Sequence, residues 1–426
     1  MSVALVHARF KLSAADWWKI VWLVLLSLLL LTRNIHHVSH PTLWAEDGKL
    51  WFRDAYDKGF ASLLEPHTGY LQSFPRLVAL LGRLLPMRFL PGLFVGAGFV
   101  MQMAPVALLL WRGHCVISSG GARAALMLFY IGMPNSSELY LNLTDAQWHF
   151  ALLQLLLLAM PPPRPAAARL GQNLVLLLGG LSGPFCLFLA PLAWAQVVVA
   201  REQRARAVSA AVLTFCALIQ LVFMAQTYGL KRNIAPLGAS PIGLARILAD
   251  QIILPAFIGT HATVNGQRLP IHQNDIVIWV VVAVAFAAIA RACWCGPGLL
   301  RLLAAFSALV LTAALKSPVV SSDMSQWAAM DIVGAGGRYF FFPLLLWFSC
   351  LLRLSADPLP AIGFLGRFFA LLCLVGIASD WHYSFAKSDT AEVYGRAARS
   401  FADAAPGENI TFPEDPPGWV FSLTKQ

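Results

Sequence analysis

The chain has 426 residues, of which 58% are hydrophobic and only 12% charged, and its mean hydropathy is +0.67. A soluble domain usually carries about 25% charged residues, so this composition excludes a soluble globular protein and indicates a polytopic membrane protein. The formal net charge of +10 is spread over short loops between apolar stretches instead of forming one patch. The basic residues therefore predict membrane topology. We expect membrane lipids around the chain and no nucleic-acid partner.

A membrane span needs roughly 20 apolar residues, and fewer where short helices pair inside a bundle. The first span runs from Trp17 to Leu31, and the basic residues before it predict a cytoplasmic N-terminus. Further spans are predicted at 90–111, 124–133, 148–160, 174–181, 185–200, 208–228, 276–290, 302–315, 339–352 and 368–377. The pattern predicts an all-α polytopic membrane protein of about eleven spans, with a periplasmic C-terminus.

This alternation of spans leaves long loops on the external face. The predicted transmembrane domain is 1–379, its external loops are 34–75, 134–147, 229–272 and 316–337, and 380–426 is a short external C-terminal tail. Helical periodicity predicts interfacial helices at 49–64 and 76–85, within or just after the first loop, and an amphipathic helix at 241–258. The tail alternates around 409–413 and closes with 416–421, which is typical of a short strand packed on the external loops.

The first external loop contains the densest group of chemically active residues. Glu46 and Asp47 follow Trp44 shortly after the first span, and His67 and Tyr70 come later in the same loop. Adjacent like charges that are partly desolvated raise one of the two pKa values. The pair therefore predicts a general base or, with an added divalent cation, a metal site. An ordinary solvated acidic loop is the alternative, which the additional polar residues make less favourable.

A second polar cluster precedes the span that begins at Trp148. It includes Asn142, Thr144, Asp145 and His149. Asp145 and His149 at the mouth of a short helix could bind a sugar hydroxyl or orient the first carboxylate pair. Thr144 or Asp145 could equally be a helix N-cap that needs no ligand, and the two interpretations are compatible.

A third cluster is the glycine-rich run 334–337 followed by Arg338 and Tyr339. Backbone N–H groups at a helix N-terminus, together with a guanidinium, form a phosphate site. The alternative is an arginine that extends to the lipid headgroups. Arg338 and Lys231 lie on the predicted external face and are exceptions to the positive-inside pattern. Such exceptions often mark sites where anionic ligands bind.

These features resemble the GT-C class of membrane glycosyltransferases, which take sugars from polyprenyl-phosphate carriers. The resemblance rests on the Glu46–Asp47 pair in the first external loop, on about eleven spans with long loops on one face, and on Gly337-Arg338-Tyr339 ahead of a late span. Residues 44–48, 69–70, 75–76 and 417–419 also resemble a bacterial group of GT-C-like proteins. The chain departs from the class in showing no second obvious acidic motif in its later loops.

The resemblance implies an inverting transfer from a polyprenyl-phosphate sugar to a glycan or lipid acceptor. Asp47, or Glu46, would deprotonate the acceptor hydroxyl. The donor phosphate would be bound by Arg338, Arg76, Lys231 and Tyr339, and the sugar or acceptor by His67, Tyr70, Asp145, His149, Trp44 and Asn142. No cofactor is required by this scheme, and a divalent cation at Glu46 and Asp47 is left open.

The alternative function is a flippase or transporter of a polyprenyl-linked glycan or another amphiphile. Such a protein needs charges along a central cavity that opens to both faces, whereas the carboxylates here are predicted on one face only, which favours the enzyme. The abundance of Ala, Leu, Arg and Pro, with compact loops, indicates a bacterial inner membrane.

Overall fold

The computed structural model describes residues 14–199, 203–227, 235–383 and 389–426. The chain is mostly helical. The helices are α1 (Ala14–Thr32), α2 (Ile35–Ser39), α3 (Arg53–Lys58), α4 (Ser73–Gly82), α5 (Leu90–Arg112), α6 (Gly120–Ile131), α7 (Ala146–Ala159), α8 (Ala166–Gly180), α9 (Cys186–Val199), α10 (Gln203–Gln226), α11 (Pro241–Leu248), α12 (Leu254–Gly266), α13 (Pro270–Gln273), α14 (Asp275–Cys295), α15 (Gly298–Lys316), α16 (Gln326–Asp331), α17 (Phe341–Leu354), α18 (Pro360–Ser379) and α19 (Thr390–Asp403). The strands are β1 (Asn409–Glu414) and β2 (Trp419–Thr424). Two π-helical turns, Asp47–Phe52 and Ala249–Ile253, precede α3 and α12.

Long apolar helices dominate the part of the chain that the structure describes. Seven stretches are long and apolar enough to cross a bilayer: Met87–Cys115, Gln203–Gln226, Pro241–Gly266, Asp275–Cys295, Gly298–Lys316, Gly337–Leu354 and Pro360–Ser379. Four apolar helices are shorter: Ser73–Gly82, Gly120–Ile131, Ala146–Ala159 and Cys186–Val199. This is the make-up of a multi-pass membrane protein, while the count of about eleven spans stays a prediction.

The stretch Pro241–Gly266 differs from the predicted amphipathic surface helix, because it is largely buried and has the length of a span. Its middle nevertheless lies beside loop residue Asn135, whose side-chain amide donates to the Gln251 carbonyl at 2.9 Å. The backbone N–H groups of Asn135 and Thr260 both donate to the Asp380 carboxylate, at 3.0 and 2.8 Å. The centre of this stretch therefore packs at the level of the loops.

One side of the helical body carries the contacts among distant loops. We call it the loop face and define it by residues 33–75, 133–145, 317–340, 380–383 and 389–426. Arg33, which follows α1, donates to the carbonyls of Ile131 at 2.8 Å and Met133 at 3.1 Å. The His37 ring lies 3.0 Å from the Leu141 carbonyl. The first loop, the second loop and the C-terminal segment thus meet on one face, as the alternation of spans predicts.

Basic residues collect at the opposite ends of the helices. Arg206 donates to the Leu158 carbonyl at 2.7 Å, and Arg353 donates to the Cys295 carbonyl at 2.8 Å. Cations at helix C-termini are stabilised by the helix dipole. The same residues carry the positive-inside pattern, so we continue to predict that this end is cytoplasmic.

The structure agrees with the all-α prediction, and the C-terminal segment adds one antiparallel hairpin to the helical body. Strand β1 pairs with β2 from Asn409 opposite Thr424 to Glu414 opposite Trp419. The Phe412 ring makes the core of this small unit by packing on α19 and on β2. The predicted short strand in this tail is confirmed, since 409–413 lies within β1 and 416–421 overlaps β2. The hairpin packs against the first loop, where Trp44 and Asp415 form a parallel bridge.

Candidate functional site

Asp47 begins the first π-helical turn and is only 1% exposed. Its Oδ2 accepts the backbone N–H of Trp44 at 3.0 Å, and its Oδ1 accepts the Thr144 hydroxyl at 3.0 Å. The Thr144 oxygen in turn accepts the indole N–H of Trp51 at 3.1 Å. Burial raises the pKa of Asp47 to about 8, although these hydrogen bonds act in the opposite direction. A carboxylate with such a pKa is a suitable general base near neutral pH.

The backbone next to the predicted site residues is strained. Among the described residues, positive φ occurs at four non-glycine positions: Ala45, Thr68, Asn135 and Leu141. All four lie on the loop face, and Ala45, Thr68 and Leu141 are each the chain neighbour of a predicted site residue. Such conformations cost about 1–3 kcal/mol each and cluster at functional sites, which strengthens the assignment of the site to this face.

Glu46 and His67 flank the more open side of Asp47. The Glu46 Oε1 lies 3.8 Å from the His67 Nε2, and both side chains are partly exposed. The backbones of His67 and Tyr70 exchange two hydrogen bonds, at 2.9 and 3.2 Å, which closes a tight turn. The His67 ring meets Trp51 edge-on at 5.3 Å. The turn therefore positions two predicted sugar-binding residues beside the carboxylates.

Glu414 is a buried carboxylate of the site that the sequence did not reveal. It is 1% exposed, and its Oε2 accepts the backbone N–H groups of Gly48 at 2.9 Å and Lys49 at 3.2 Å. Burial, with the charge of Asp47 next, raises the pKa of Glu414 to about 8. The available signal is the pair Glu414–Asp415, which repeats the residue types of Glu46–Asp47 within a segment whose local pattern predicts a strand.

Asp145 lies between the two halves of the site. Asn142 fixes the turn before it, because the Asn142 Oδ1 accepts the Asp145 backbone N–H at 2.9 Å. The Asp145 carboxyl is buried and accepts no hydrogen bond from the described residues. Its pKa is raised well above the usual range by burial and then by the charge of Glu138, while Arg338 lowers it and Asp47 adds a smaller repulsion. Asp145 therefore experiences charges from both sides.

Arg338 forms the other half of the site, together with Glu138. The backbone N–H of Arg338 donates to the Glu138 Oε1 at 2.6 Å, and its Nη1 donates to the Glu138 Oε2 at 3.1 Å. Its Nη2 donates to the Val319 carbonyl at 3.2 Å. The Tyr339 hydroxyl accepts the Val319 N–H at 3.2 Å, and the Tyr339 ring lies 5.0 Å from the guanidinium. The predicted combination of backbone N–H and guanidinium is present and already holds an anion.

The glycines before Arg338 provide a close fit. Gly336 has a φ of +63° in the left-handed region that favours glycine. A Cβ on Gly337 would lie 2.8 Å from the carbonyl oxygen of Asn135. The glycine-rich run therefore lets the Arg338 loop approach the second loop closely.

Two predicted ligand-binding residues lie beneath the site instead of on its surface. Arg76 is buried, pairs with Asp54 at 3.0 Å and stacks on the Trp51 ring at 5.1 Å. His149 is 0% exposed, with its Nε2 2.8 Å from the Leu139 carbonyl and its Nδ1 bonded to a tyrosine hydroxyl. Arg76 Nη1 and both His149 ring nitrogens are bonded within the protein, whereas the buried Arg76 Nε has no partner. The burial of both side chains favours a supporting role over direct ligand contact.

The remaining predicted groups are a lysine and a metal site. Lys231, predicted to assist at the phosphate, lies outside the described residues. Within residues 14–199, 203–227, 235–383 and 389–426, no group of three or more His, Cys, Asp or Glu side chains is arranged to hold a metal ion.

No protein-family model, curated protein or solved structure matches this chain. What the site can do therefore follows from its own residues. A buried carboxylate with a raised pKa can accept a proton, and a partly exposed guanidinium can stabilise a developing anion. Asp145 experiences the charges of both Asp47 and Arg338, and the partly exposed Glu46 and His67 offer hydrogen-bond partners to a polar ligand.

Proposed function

We propose that the protein is an inverting glycosyltransferase of the GT-C type. It transfers a sugar from a polyprenyl-phosphate carrier to an acceptor hydroxyl on the loop face, which we assign to the periplasmic side of a bacterial inner membrane. The observation that carries the proposal is the link made by residues 138–145. Thr144 bonds Asp47 at one end of that segment, and Glu138 bonds Arg338 at the other.

The proposed reaction needs one base and one anion-binding group. Asp47 accepts the proton of the acceptor hydroxyl as that oxygen attacks the anomeric carbon from the side opposite the phosphate. The bond between the anomeric carbon and the phosphate oxygen breaks, and the lipid phosphate leaves with both bonding electrons. Arg338 meets the charge that develops on this leaving group. Both groups belong to the loop face, which supports their action on a single sugar.

Placement of the lipid is also consistent with this scheme. The Arg338 loop opens directly into α17, one of the long apolar helices. A carrier whose phosphate lies at Arg338 can therefore keep its isoprenoid tail beside α17 in the bilayer. The apolar tail then binds to a lipid-facing surface, and the charged phosphate binds to a polar surface.

A flippase receives less support from the described residues. Helices α5, α6, α7, α15 and α17 enclose a cavity of about 500 Å³. Arg353 is the one charged residue among those that line it, and no carboxylate does so. Transport of a charged glycan would require polar groups along such a path, whereas the carboxylates are gathered on the loop face.

The proposal is tested with the purified full chain in liposomes that contain a polyprenyl-phosphate sugar and candidate acceptors. Release of polyprenyl phosphate is compared among wild type, Asp47→Asn and Arg338→Gln. We expect Asp47→Asn to lower turnover by about 10²–10⁴-fold and Arg338→Gln by about 10²–10³-fold.

Asp57→Asn and Arg83→Gln are the matched controls, because both side chains are exposed on nearby elements. They should retain wild-type turnover. If turnover survives both site substitutions, the proposed mechanism is wrong. Movement of a labelled lipid-linked glycan across the bilayer without sugar transfer would favour the flippase.

A further inference from the structure

We infer that Glu414 is a positioning residue of the same site, and that it forms with Asp47 a coupled pair that retains one proton after the first has left. The catalytic consequence rests on the proposed function, whereas the coupling of the two carboxyls does not. Residues from opposite ends of the chain would then share one acid–base unit.

The first argument is the position of the Glu414 carboxyl. Its Oε2 accepts the N–H groups of Gly48 and Lys49, which belong to the turn that Asp47 begins. The carboxyl of Glu414 therefore lies against the backbone immediately after Asp47. Both side chains are 1% exposed, so little water separates or screens them.

The second argument is the unpaired oxygen of Glu414. Its Oε1 is buried and has no hydrogen-bond partner. An ionised carboxylate in a dry site is costly unless its oxygens are paired, so Glu414 favours the protonated form when Asp47 is ionised. Both backbone donors bind Oε2, so Oε1 is left without a donor.

The third argument is the close packing around Gly48. A Cβ at this position would lie 2.6 Å from the Glu414 Oε2 and 2.3 Å from the ring of Phe421. Only glycine allows the hairpin to approach the first loop this closely. A glycine is therefore required after Glu46–Asp47, because the second carboxylate packs directly against this position.

The electrostatics agree with this geometry. Burial raises the pKa of Asp47 to about 8, and burial together with the Asp47 charge raises the pKa of Glu414 to about 8. Interacting carboxyls lose their protons in two steps that belong to the pair. The other titratable groups near the pair are Glu46, Lys49, His67, Asp145 and Tyr394.

Coupling would give the pair a defined role in the proposed reaction. After the first proton leaves, Glu414 holds the second, and Asp47 can accept the proton of the acceptor hydroxyl. The pair then carries two protons and returns one to solvent. No co-reactant is needed, and Glu414 acts only through Asp47.

The first test is the carboxyl region of the infrared spectrum, measured on the full chain as a function of pH. Wild type should lose the two protons of the pair in steps more than about one pH unit apart. Glu414→Gln retains an oxygen for the two backbone donors. This variant should titrate in a single step, at a pH between the two wild-type steps. Asp47→Asn should move the Glu414 step to lower pH.

Glu408→Gln is the control, because Glu408 is an exposed residue beside the same hairpin. It should preserve both steps. The inference is wrong if Asp47→Asn leaves the Glu414 step unchanged. It is also wrong if the wild-type spectrum shows no protonated carboxyl band that disappears in Glu414→Gln. A coupled pair in a protein without donor turnover would instead overturn the proposed function alone.

The second test is the pH profile of kcat/KM for the donor. The wild-type profile should show two limbs. The Glu414→Gln profile should show a single limb, at a pH between those of the two wild-type limbs. A merely structural role would lower the rate at every pH without changing the shape of the profile. Retention of both limbs in Glu414→Gln would contradict the inference.

Discussion

Glu138 holds Arg338 at two points, accepting its backbone N–H at 2.6 Å and its Nη1 at 3.1 Å. These are the donors that the proposed function assigns to the donor phosphate. The carboxylate therefore occupies the place of an oxyanion, and a phosphate that binds there must replace it or share the guanidinium with it.

Glu138→Gln should strengthen donor binding, because it removes a negative charge next to the incoming phosphate. We expect the KM for the donor to fall by roughly threefold to tenfold, with a smaller change in kcat. Initial rates over a range of donor concentrations measure the effect. Glu392→Gln changes an exposed glutamate of α19 and should leave KM unaltered. A higher KM in Glu138→Gln would show that the carboxylate assists the donor.

Thr144→Val should impair the base while preserving side-chain shape. The substitution removes the hydroxyl that bonds Asp47 and leaves the indole N–H of Trp51 without its acceptor. An unpaired buried donor costs about 1–3 kcal/mol, so we expect a lower unfolding midpoint and roughly tenfold slower turnover. Thr144→Ser should restore both quantities. Thr411→Val, on an exposed strand position, serves as the control.

Arg33→Gln should destabilise the loop face. The Arg33 side chain is 1% exposed, donates to the carbonyls of Ile131 and Met133, and stacks on Tyr140 at 4.7 Å. Hydrogen bonds that involve a charged group contribute about 1.5–3 kcal/mol, so the loss should be clear in thermal unfolding in detergent. Exposed Arg83→Gln should unfold like wild type. Equal midpoints for both variants would show that Arg33 is not a structural anchor.

The stability of the wild type should fall as the pH rises from about 5 to about 9. An unfolded Asp ionises near pH 3.9, whereas burial raises the pKa of folded Asp47 to about 8. Between these values the folded state binds more protons, so the free energy of unfolding decreases with increasing pH. Asp47→Asn should reduce this slope, which unfolding midpoints across the pH range would measure. An unchanged slope would contradict the raised pKa.

The parts of the site predictable from sequence were those with local signals. Asp47 follows a span and stands beside another carboxylate, and Arg338 follows a glycine-rich run, so each could be assigned to a loop. Glu414 could not, because it joins residues separated by hundreds of positions and its local pattern is that of a strand. His149 lies inside the protein, which the sequence does not show because a position near the start of a helix leaves open which side faces the interior.

For the fold as well, local features were predictable from the sequence and contacts between distant segments were not. Apolar stretches predicted nearly all the long helices, because hydrophobic length is a property of neighbouring residues. The stretch 241–266 shows the limit of prediction from local hydropathy. Its hydropathy allows a membrane crossing, whereas its position beside the loops depends on contacts with Asn135 and Asp380, which lie far away in the chain. The side of the membrane that each loop occupies stays a prediction, and the contacts among the loops required the structure.

The hydrogen bonds between Gly48 and Glu414 have a consequence for biogenesis. The acid–base centre joins the start of the first loop to the last strands, so it cannot form while the intervening helices are still being inserted. A nascent chain with several helices already in the bilayer therefore lacks the second carboxylate and the floor of the site. In the proposed enzyme, activity should therefore appear only after the hairpin has reached the loop face.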